Sequence, residues 1–247
     1  SYSVTGVQTC ALPILIGLMG PRSRELLARL TNADLSNEAF PYGVAQEIDV
    51  AYARPLALRM SYVGELGWEL YIPTEFSLGV FDALMEEGEK MGLALVGLHA
   101  VDSLRLEKGY RHWGSDLTPD YTPFEAGLGF AVKMEKGDFL GRAALLAQKQ
   151  LGLKRRLALF RLNDPEPLLY QDEPIYRNGE LVSAITHGAF AHHLGGAMGM
   201  GYLERAEGVT DDWILSGRYE VDVEGTLFPT TVYLKTPYDP KGMRLRA

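Results

Sequence analysis

Around Lys149–Lys154 the sequence changes its rhythm, and that change limits the folds open to it. Beyond this point helical spacing largely disappears. Short runs suited to strands remain at Leu157–Leu162, Pro174–Arg177, Leu181–Thr186, Gly196–Tyr202, Arg218–Val223 and Thr226–Leu234. Asn-Gly, Gly-Gly, Glu-Gly and proline-containing turns separate them. Asn178-Gly179 is the clearest hairpin signal, because both residues tolerate the positive φ that a tight two-residue turn requires. About six such strands without helices between them predict a barrel or sandwich.

Before the change, strands and helices alternate irregularly. Leu15–Met19 is a short apolar run followed by Gly20-Pro21. Ser23–Leu30 has Leu26, Leu27 and Leu30 at helical spacing. Gly43–Val50 and Leu56–Tyr62 predict strands, Val63–Gly67 a turn, and Trp68–Ile72 the returning strand. Phe76–Met91 predicts a helix, Leu93–Leu98 a strand, and Ala100–Lys108 a helix ending at Gly109. This order predicts an α+β layer with helices on one face of a mixed or antiparallel sheet. No Gly-x-Gly-x-x-Gly follows a strand, so a Rossmann domain is not expected.

Charge and composition exclude several functions. The net charge of −8 opposes a phosphate-binding surface, and the only basic cluster is Lys154-Arg155-Arg156. No nucleic-acid partner is expected. No apolar stretch reaches the roughly 18 residues of a membrane-spanning helix. A single cysteine, Cys10, cannot form an internal disulfide or a cysteine-rich metal site. The five histidines show no ligand spacing, with His192 and His193 adjacent and His187 lacking a nearby carboxylate in sequence. No metal is expected.

Val4–Ile14, VTGVQTCALPI, reads as the translation of a sequencing-adapter oligonucleotide rather than as natural protein. A short apolar strand is the alternative; a signal peptide would begin with basic residues, which are lacking. Residues 1–14 are therefore set apart, Cys10 with them, and the natural protein is expected to begin further upstream. The remainder divides into residues 15–148 and 149–247.

Three segments carry a family resemblance. They are Leu58–Tyr71 (LRMSYVGELGWELY), Gly97–Trp113 (GLHAVDSLRLEKGYRHW, continued by GSDLTPDYTPFEAGLGFAVK) and Leu234–Arg244 (LKTPYDPKGMR). With the β-rich tail they resemble the aminomethyltransferase (T-protein) family of the glycine cleavage system. The likeness is greatest to the copy at the C-terminus of flavin-dependent sarcosine and dimethylglycine dehydrogenases. It covers residues 15–247. The resemblance implies an incomplete, ferredoxin-like α+β folate-binding module followed by the C-terminal β-barrel. It also implies that most of a first module is missing. The family's catalytic aspartate lies in that missing part, so no catalytic residue is assigned here.

The resemblance assigns the ligand-holding residues. Glu69 is the last Glu of the family motif Tyr-x-Gly-Glu-x-Gly-x-Glu, and the resemblance implies that it binds the pterin. The chemistry fits: a reduced pterin presents an amide N–H beside an exocyclic amine, and one carboxylate accepts both. An exposed strand carboxylate is the alternative. Tyr62, seven residues earlier, would pack on the heterocycle or donate to it, or else simply pack on the sheet. Gly64 and Gly67 shape the turn, and Glu65 is either part of the site or a solvated turn residue. Phe130 stands where relatives place an aromatic near the ligand, or is an ordinary core phenylalanine. Arg156 matches a family arginine whose fork could hold a glutamyl carboxylate, or belongs to a solvated basic run. Val101 replaces the arginine usual in glycine-cleavage members, a departure that favours the dehydrogenase branch. Asp102 and Arg105, three apart on a helix, are expected to pair on its surface.

The implied whole protein oxidises an N-methyl amine at FAD carried by the missing module. The iminium carbon then passes to tetrahydrofolate held by the part present. The fragment alone is expected to be inactive. The alternatives are a stand-alone aminomethyltransferase and a non-catalytic folate-binding module. The implied compartment is the bacterial cytoplasm, or the mitochondrial matrix in a eukaryote. The partners are folate and the methylated amine.

Overall fold

A computed structural model describes residues 12–247. Cys10 and most of the segment set apart at residues 1–14 lie outside the described residues. Of that segment, the carbonyl of Leu12 accepts from Thr74 Oγ1 at 2.5 Å, and Ile14 opens the first strand. The chain forms two compact units. One comprises the residues up to Val101 together with Lys241–Ala247; the other is Asp102–Pro240.

The first unit is built on an antiparallel sheet of four strands: β1 (Ile14–Met19), β2 (Ala45–Glu47), β3 (Leu56–Leu58) and β4 (Gly67–Ile72). Their order is β1-β4-β3-β2. Alternation along β4 decides its two faces. Trp68, Leu70 and Ile72 are fully buried and share a core with Leu18 and Ala57. Helix α1 (Ser23–Leu27) adds Leu26 and Leu27 to that core, and α2 (Ser77–Glu89) adds Val80 and Leu84. The helices therefore cover one face, as the alternating pattern predicts. The other face carries Gly17, Leu56, Leu58, Glu69 and Tyr71, which are partly buried or exposed.

Four predicted elements differ in the structure, the first being Gly43–Val50, a strand only over Ala45–Glu47. Leu56–Tyr62 forms a strand only to Leu58. Beyond it Met60 N donates back to Leu58 O, and Ser61 Oγ accepts from Val63 N, so local bonds replace the ladder. Leu93–Leu98 forms no strand. Leu95 and Val96 are exposed, and the carbonyl of Gly97 starts α3 (Leu98–Glu107) by accepting from Ala100 and Val101. A short apolar run carries no periodicity that distinguishes a strand from the approach to a helix. The first helix ends at Leu27 instead of Leu30, because Arg29 and Leu30 bond to carbonyls three residues back in a tighter turn.

The second unit contains a closed six-stranded barrel of order β10-β5-β8-β7-β6-β9. Its strands are β5 (Arg155–Leu162), β6 (Pro174–Arg177), β7 (Glu180–Ala191), β8 (Gly196–Glu204), β9 (Tyr219–Val223) and β10 (Thr226–Tyr233). All six predicted runs are strands. The β6–β7 hairpin turns at Asn178 and Gly179, with φ of 54° and 86°. Two helices in this unit fall outside the predicted elements: α4 (Arg142–Leu151) and α5 (Asp211–Leu215).

Strands β5 and β8 are buried on both faces. Ala158, Phe160, Leu162 and Ala197 join one core cluster, while Leu157, Leu159, Met198 and Met200 join another that includes Leu106 of α3. Ser103 Oγ also donates to Phe190 O, at 2.6 Å. These contacts draw the segment from Asp102 onward into the barrel's unit, so the compact units divide within α3. Among the described residues no helix is long and apolar enough to cross a membrane.

Candidate functional site

Glu69 lies on β4, half-buried, on the sheet face that the helices leave uncovered. Its cross-strand neighbours are Gly17 on β1 and Leu58 on β3. Gly17 offers no side chain, so that flank of the carboxylate is bordered only by the flexible end of Met19. Tyr71 donates its hydroxyl to Glu69 Oε2 at 3.0 Å. This bond, followed by the carboxylate's charge, raises the Tyr71 pKa. Among the described residues no donor reaches Glu69 Oε1. The site is thus an anionic acceptor on a mostly apolar, open sheet face.

Tyr62 belongs to the same β3–β4 connection but lies in its loop, not on a strand. That loop is held by Phe40 and by the segment Lys241–Ala247. Arg59, fully buried, donates to Phe40 O at 2.7 Å and to Ala247 O at 3.1 Å. Glu65 is ion-paired with Arg244 at 2.9 Å, its side chain only 13% exposed. Glu65 is therefore not a solvated turn residue. Two of the three recognisable segments, Leu58–Tyr71 and Leu234–Arg244, meet at this pair.

Phe130 and Arg156 belong to the second unit. Phe130 sits on a single 3₁₀ turn, Gly129–Ala131, and is 77% exposed, so it is not a core phenylalanine. Arg156, on β5, is half-buried. Among the described residues its Nη1 makes only a long 3.5 Å contact with Phe124 O, and its buried Nε has no hydrogen-bond partner. Arg111 comes close to the same spot. A Cβ on Gly127 would lie 2.8 Å from Arg111 Nη2 and 4.0 Å from Arg156 Nε. Burial lowers the Arg111 pKa, and the Arg156 charge adds to that. The four expected residues thus divide into Tyr62 with Glu69 and Phe130 with Arg156, each pair within its own unit.

The expected surface pairing of Asp102 with Arg105 is corrected. Arg105 is completely buried, and its guanidinium bonds Asp102 at 3.3 Å, the Tyr110 carbonyl at 3.0 Å and the fully buried carboxylate of Asp116. Asp116 also accepts from Thr186 Oγ1 and from His112 N. His187 Nε2 lies 3.9 Å from Asp102 Oδ1, and burial, then the Arg105 charge, lowers its pKa. Glu107, also buried, accepts from the backbone N–H groups of His193 and Leu194 and contacts His193 Nδ1 at 2.7 Å. These carboxylate–histidine contacts join residues more than eighty positions apart, so spacing along the chain did not show them. Among the described residues no three His, Cys, Asp or Glu side chains come together as metal ligands would.

Each unit carries a cavity. One, of about 310 Å³ in the first unit, is lined mainly by apolar residues such as Leu18, Leu26 and Met91. The other, of about 420 Å³ on the barrel, is lined by Ser115, Tyr121, Asp172, Thr186 and Tyr202 among others. Neither includes any of the four expected ligand residues.

Comparison with known proteins places this architecture. The family model for the GCVT N-terminal domain matches residues 7–136, and that for the glycine cleavage T-protein C-terminal barrel domain matches residues 155–239. 4-Methylaminobutanoate oxidase (formaldehyde-forming) of Paenarthrobacter nicotinovorans is 45% identical over 232 residues, which cover 94% of this chain and 27% of that protein. Mitochondrial sarcosine dehydrogenase of Homo sapiens is 41% identical over 235 residues, covering 94% of this chain and 26% of that protein. The chain therefore spans about a quarter of the length of these curated relatives. The crystal structure of glycine cleavage system aminomethyltransferase T from Bartonella henselae superposes with a TM-score of 0.74. It is 27% identical and covers 89% of this chain and 58% of that one.

Proposed function

The chain belongs to the glycine cleavage T-protein family, and on that premise we propose that it is the tetrahydrofolate-binding, one-carbon-transfer part of an N-methyl amine dehydrogenase. The observation that carries this reading is the setting of Glu69. It is a half-buried carboxylate on an uncovered sheet face, with one oxygen held by Tyr71 and the other without a donor among the described residues. A reduced pterin presents two adjacent N–H donors, and a carboxylate is the side chain that takes both. The leucines beside it, Leu56 and Leu58, suit the apolar faces of a flat ring. The residues present therefore fit the group. They do not fit a flavin, since no glycine-rich dinucleotide turn follows a strand; oxidation at FAD is assigned to a module outside this chain.

Bound tetrahydrofolate supplies the nucleophilic nitrogen that takes up the one-carbon unit. Everything else the chain does is positioning. Glu69 holds the pterin edge, and the Tyr62 ring packs beside it. Within the second unit, Arg156, whose Nε has no partner among the described residues, is the group suited to a carboxylate such as a glutamyl tail carries. Phe130 contributes an exposed aromatic face. Holding donor and acceptor together replaces a bimolecular encounter. The donor class, a secondary or tertiary N-methyl amine, follows the oxidase and dehydrogenase relatives. Val101, where glycine-cleavage members carry arginine, favours the same branch. A stand-alone aminomethyltransferase is the second reading, supported by the Bartonella likeness.

Calorimetric titration of the protein with 5-formyltetrahydrofolate, a stable reduced folate, tests the site. Dissociation constants in the micromolar range are expected, as for metabolite sites. Glu69→Ala should weaken binding about thirtyfold, the equivalent of about 2 kcal/mol. Equal affinity of the two proteins would refute the assignment.

A further inference from the structure

We propose that Tyr71 is a positioning residue for the folate site, fixing Glu69 so that the carboxylate meets the pterin edge in one orientation; this rests on the reading of Glu69 given above. The argument begins with strand parity. Residues two apart on a strand project from the same face, so Tyr71 stands beside Glu69 on the uncovered side of β4. The phenol is placed by its own neighbours, since Tyr71 pairs across the sheet with Leu15 on β1 and Leu56 on β3. Glu69 has the opposite situation. Gly17 puts no side chain of its own beside it, and a Cβ there would meet only the flexible end of Met19, Cε at 3.3 Å and Sδ at 4.0 Å.

A glutamate flanked only by a flexible methionine end keeps three rotatable side-chain bonds, and holding it still on binding carries one of the larger side-chain entropy costs. The 3.0 Å bond from the Tyr71 hydroxyl to Oε2 removes much of that freedom before a ligand arrives. An O–H donated to a carboxylate is charge-assisted and stronger than a neutral pair. It also leaves acceptor capacity on the same oxygen, because each carboxylate oxygen has two lone-pair sites. The pterin fork can therefore use Oε1 and the remaining site on Oε2 without displacing the tyrosine. The carboxylate in turn raises the Tyr71 pKa, so the hydroxyl keeps its proton and remains a donor well above neutral pH.

A double-mutant cycle tests this, with 5-formyltetrahydrofolate titrated into the parent protein, Tyr71→Phe, Glu69→Ala and the double variant. Tyr71→Phe should weaken binding about five- to tenfold when Glu69 is present and leave it unchanged when Glu69 is alanine. If Tyr71→Phe costs the same in both backgrounds, tyrosine acts on the ligand or the fold and not through Glu69, and the inference fails. It fails also if Tyr71→Phe binds as well as the parent while Glu69→Ala does not, which leaves the folate reading intact. If Glu69→Ala itself has no effect, the folate reading fails. A ligand-free readout separates the two further. The carboxyl carbon resonance of Glu69 should shift when Tyr71 becomes Phe, and an unmoved resonance would overturn the positioning role whatever binds.

Discussion

The sheet unit and the barrel treat the same building material in opposite ways. In the first unit helices cover one face of an antiparallel sheet, and the other face is left with Glu69, Tyr71 and exposed leucines. In the barrel, β5 and β8 are buried on both faces, and β8 is buried at every position but its last. Space shows the contrast most clearly at glycines. A Cβ on Gly201 would lie 2.7 Å from Ile175 Cδ1 and 2.8 Å from the Ala184 carbonyl, whereas on Gly17 it would meet only a flexible methionine end. A closed barrel of this size spends its interior on packing. An open sheet keeps a face on which a polar group can wait for a ligand.

That contrast can be broken most sharply at the buried ion pair. Asp116→Ala leaves the guanidinium of Arg105 buried with one carboxylate fewer, and should lower the unfolding free energy of the second unit by about 3 kcal/mol in urea titration. Next comes the glycine pair. Gly201→Ala should cost about 2 kcal/mol through overpacking, and Gly17→Ala less than about 0.5 kcal/mol. Equal losses in thermal melts would show that the two faces are not packed differently. Glu69→Ala, costly for folate binding, should leave the melting temperature almost unchanged, because its partner Tyr71 keeps access to water. Arg244→Ala should reduce stability by no more than about 1 kcal/mol, since Arg244 is half exposed.

The smallest effect expected is a pH slope. Burial and the Arg105 charge hold the His187 pKa below its ordinary value in the folded state. The unfolded chain therefore binds that proton more readily, and the contribution is intact above a pH of about 6.5. It declines as the pH falls from there toward the folded-state value. His187→Gln should flatten this part of the stability profile, and an unchanged slope would assign it to other groups.

Much of the architecture was legible because it is local. Asn178-Gly179 announces its hairpin through conformational freedom alone, and the six barrel strands lie between turn residues. On β4 the alternation of Trp68, Leu70 and Ile72 with Glu69 and Tyr71 could be read directly. Tyr71 as the partner of Glu69 was within reach of the same two-residue rule, although the motif drew attention to Tyr62 instead. Leu93–Leu98 misled because an apolar run of six carries no period. The buried networks of Arg105 with Asp116 and Glu107 with His193 were not legible. Asp102 sits three residues from Arg105, a spacing that suggests an exposed helical pair, whereas the groups that bury these side chains are brought in by the barrel.

The return of Lys241–Ala247 to the sheet unit affects the order of folding. Chains are made from the N-terminus, and domains commonly fold as they emerge. Here β1–β4 are made well before Lys241–Ala247, yet Arg59 beside them holds the carbonyl of Ala247. The sheet unit thus begins before the barrel and is completed only after the whole barrel sequence has been made.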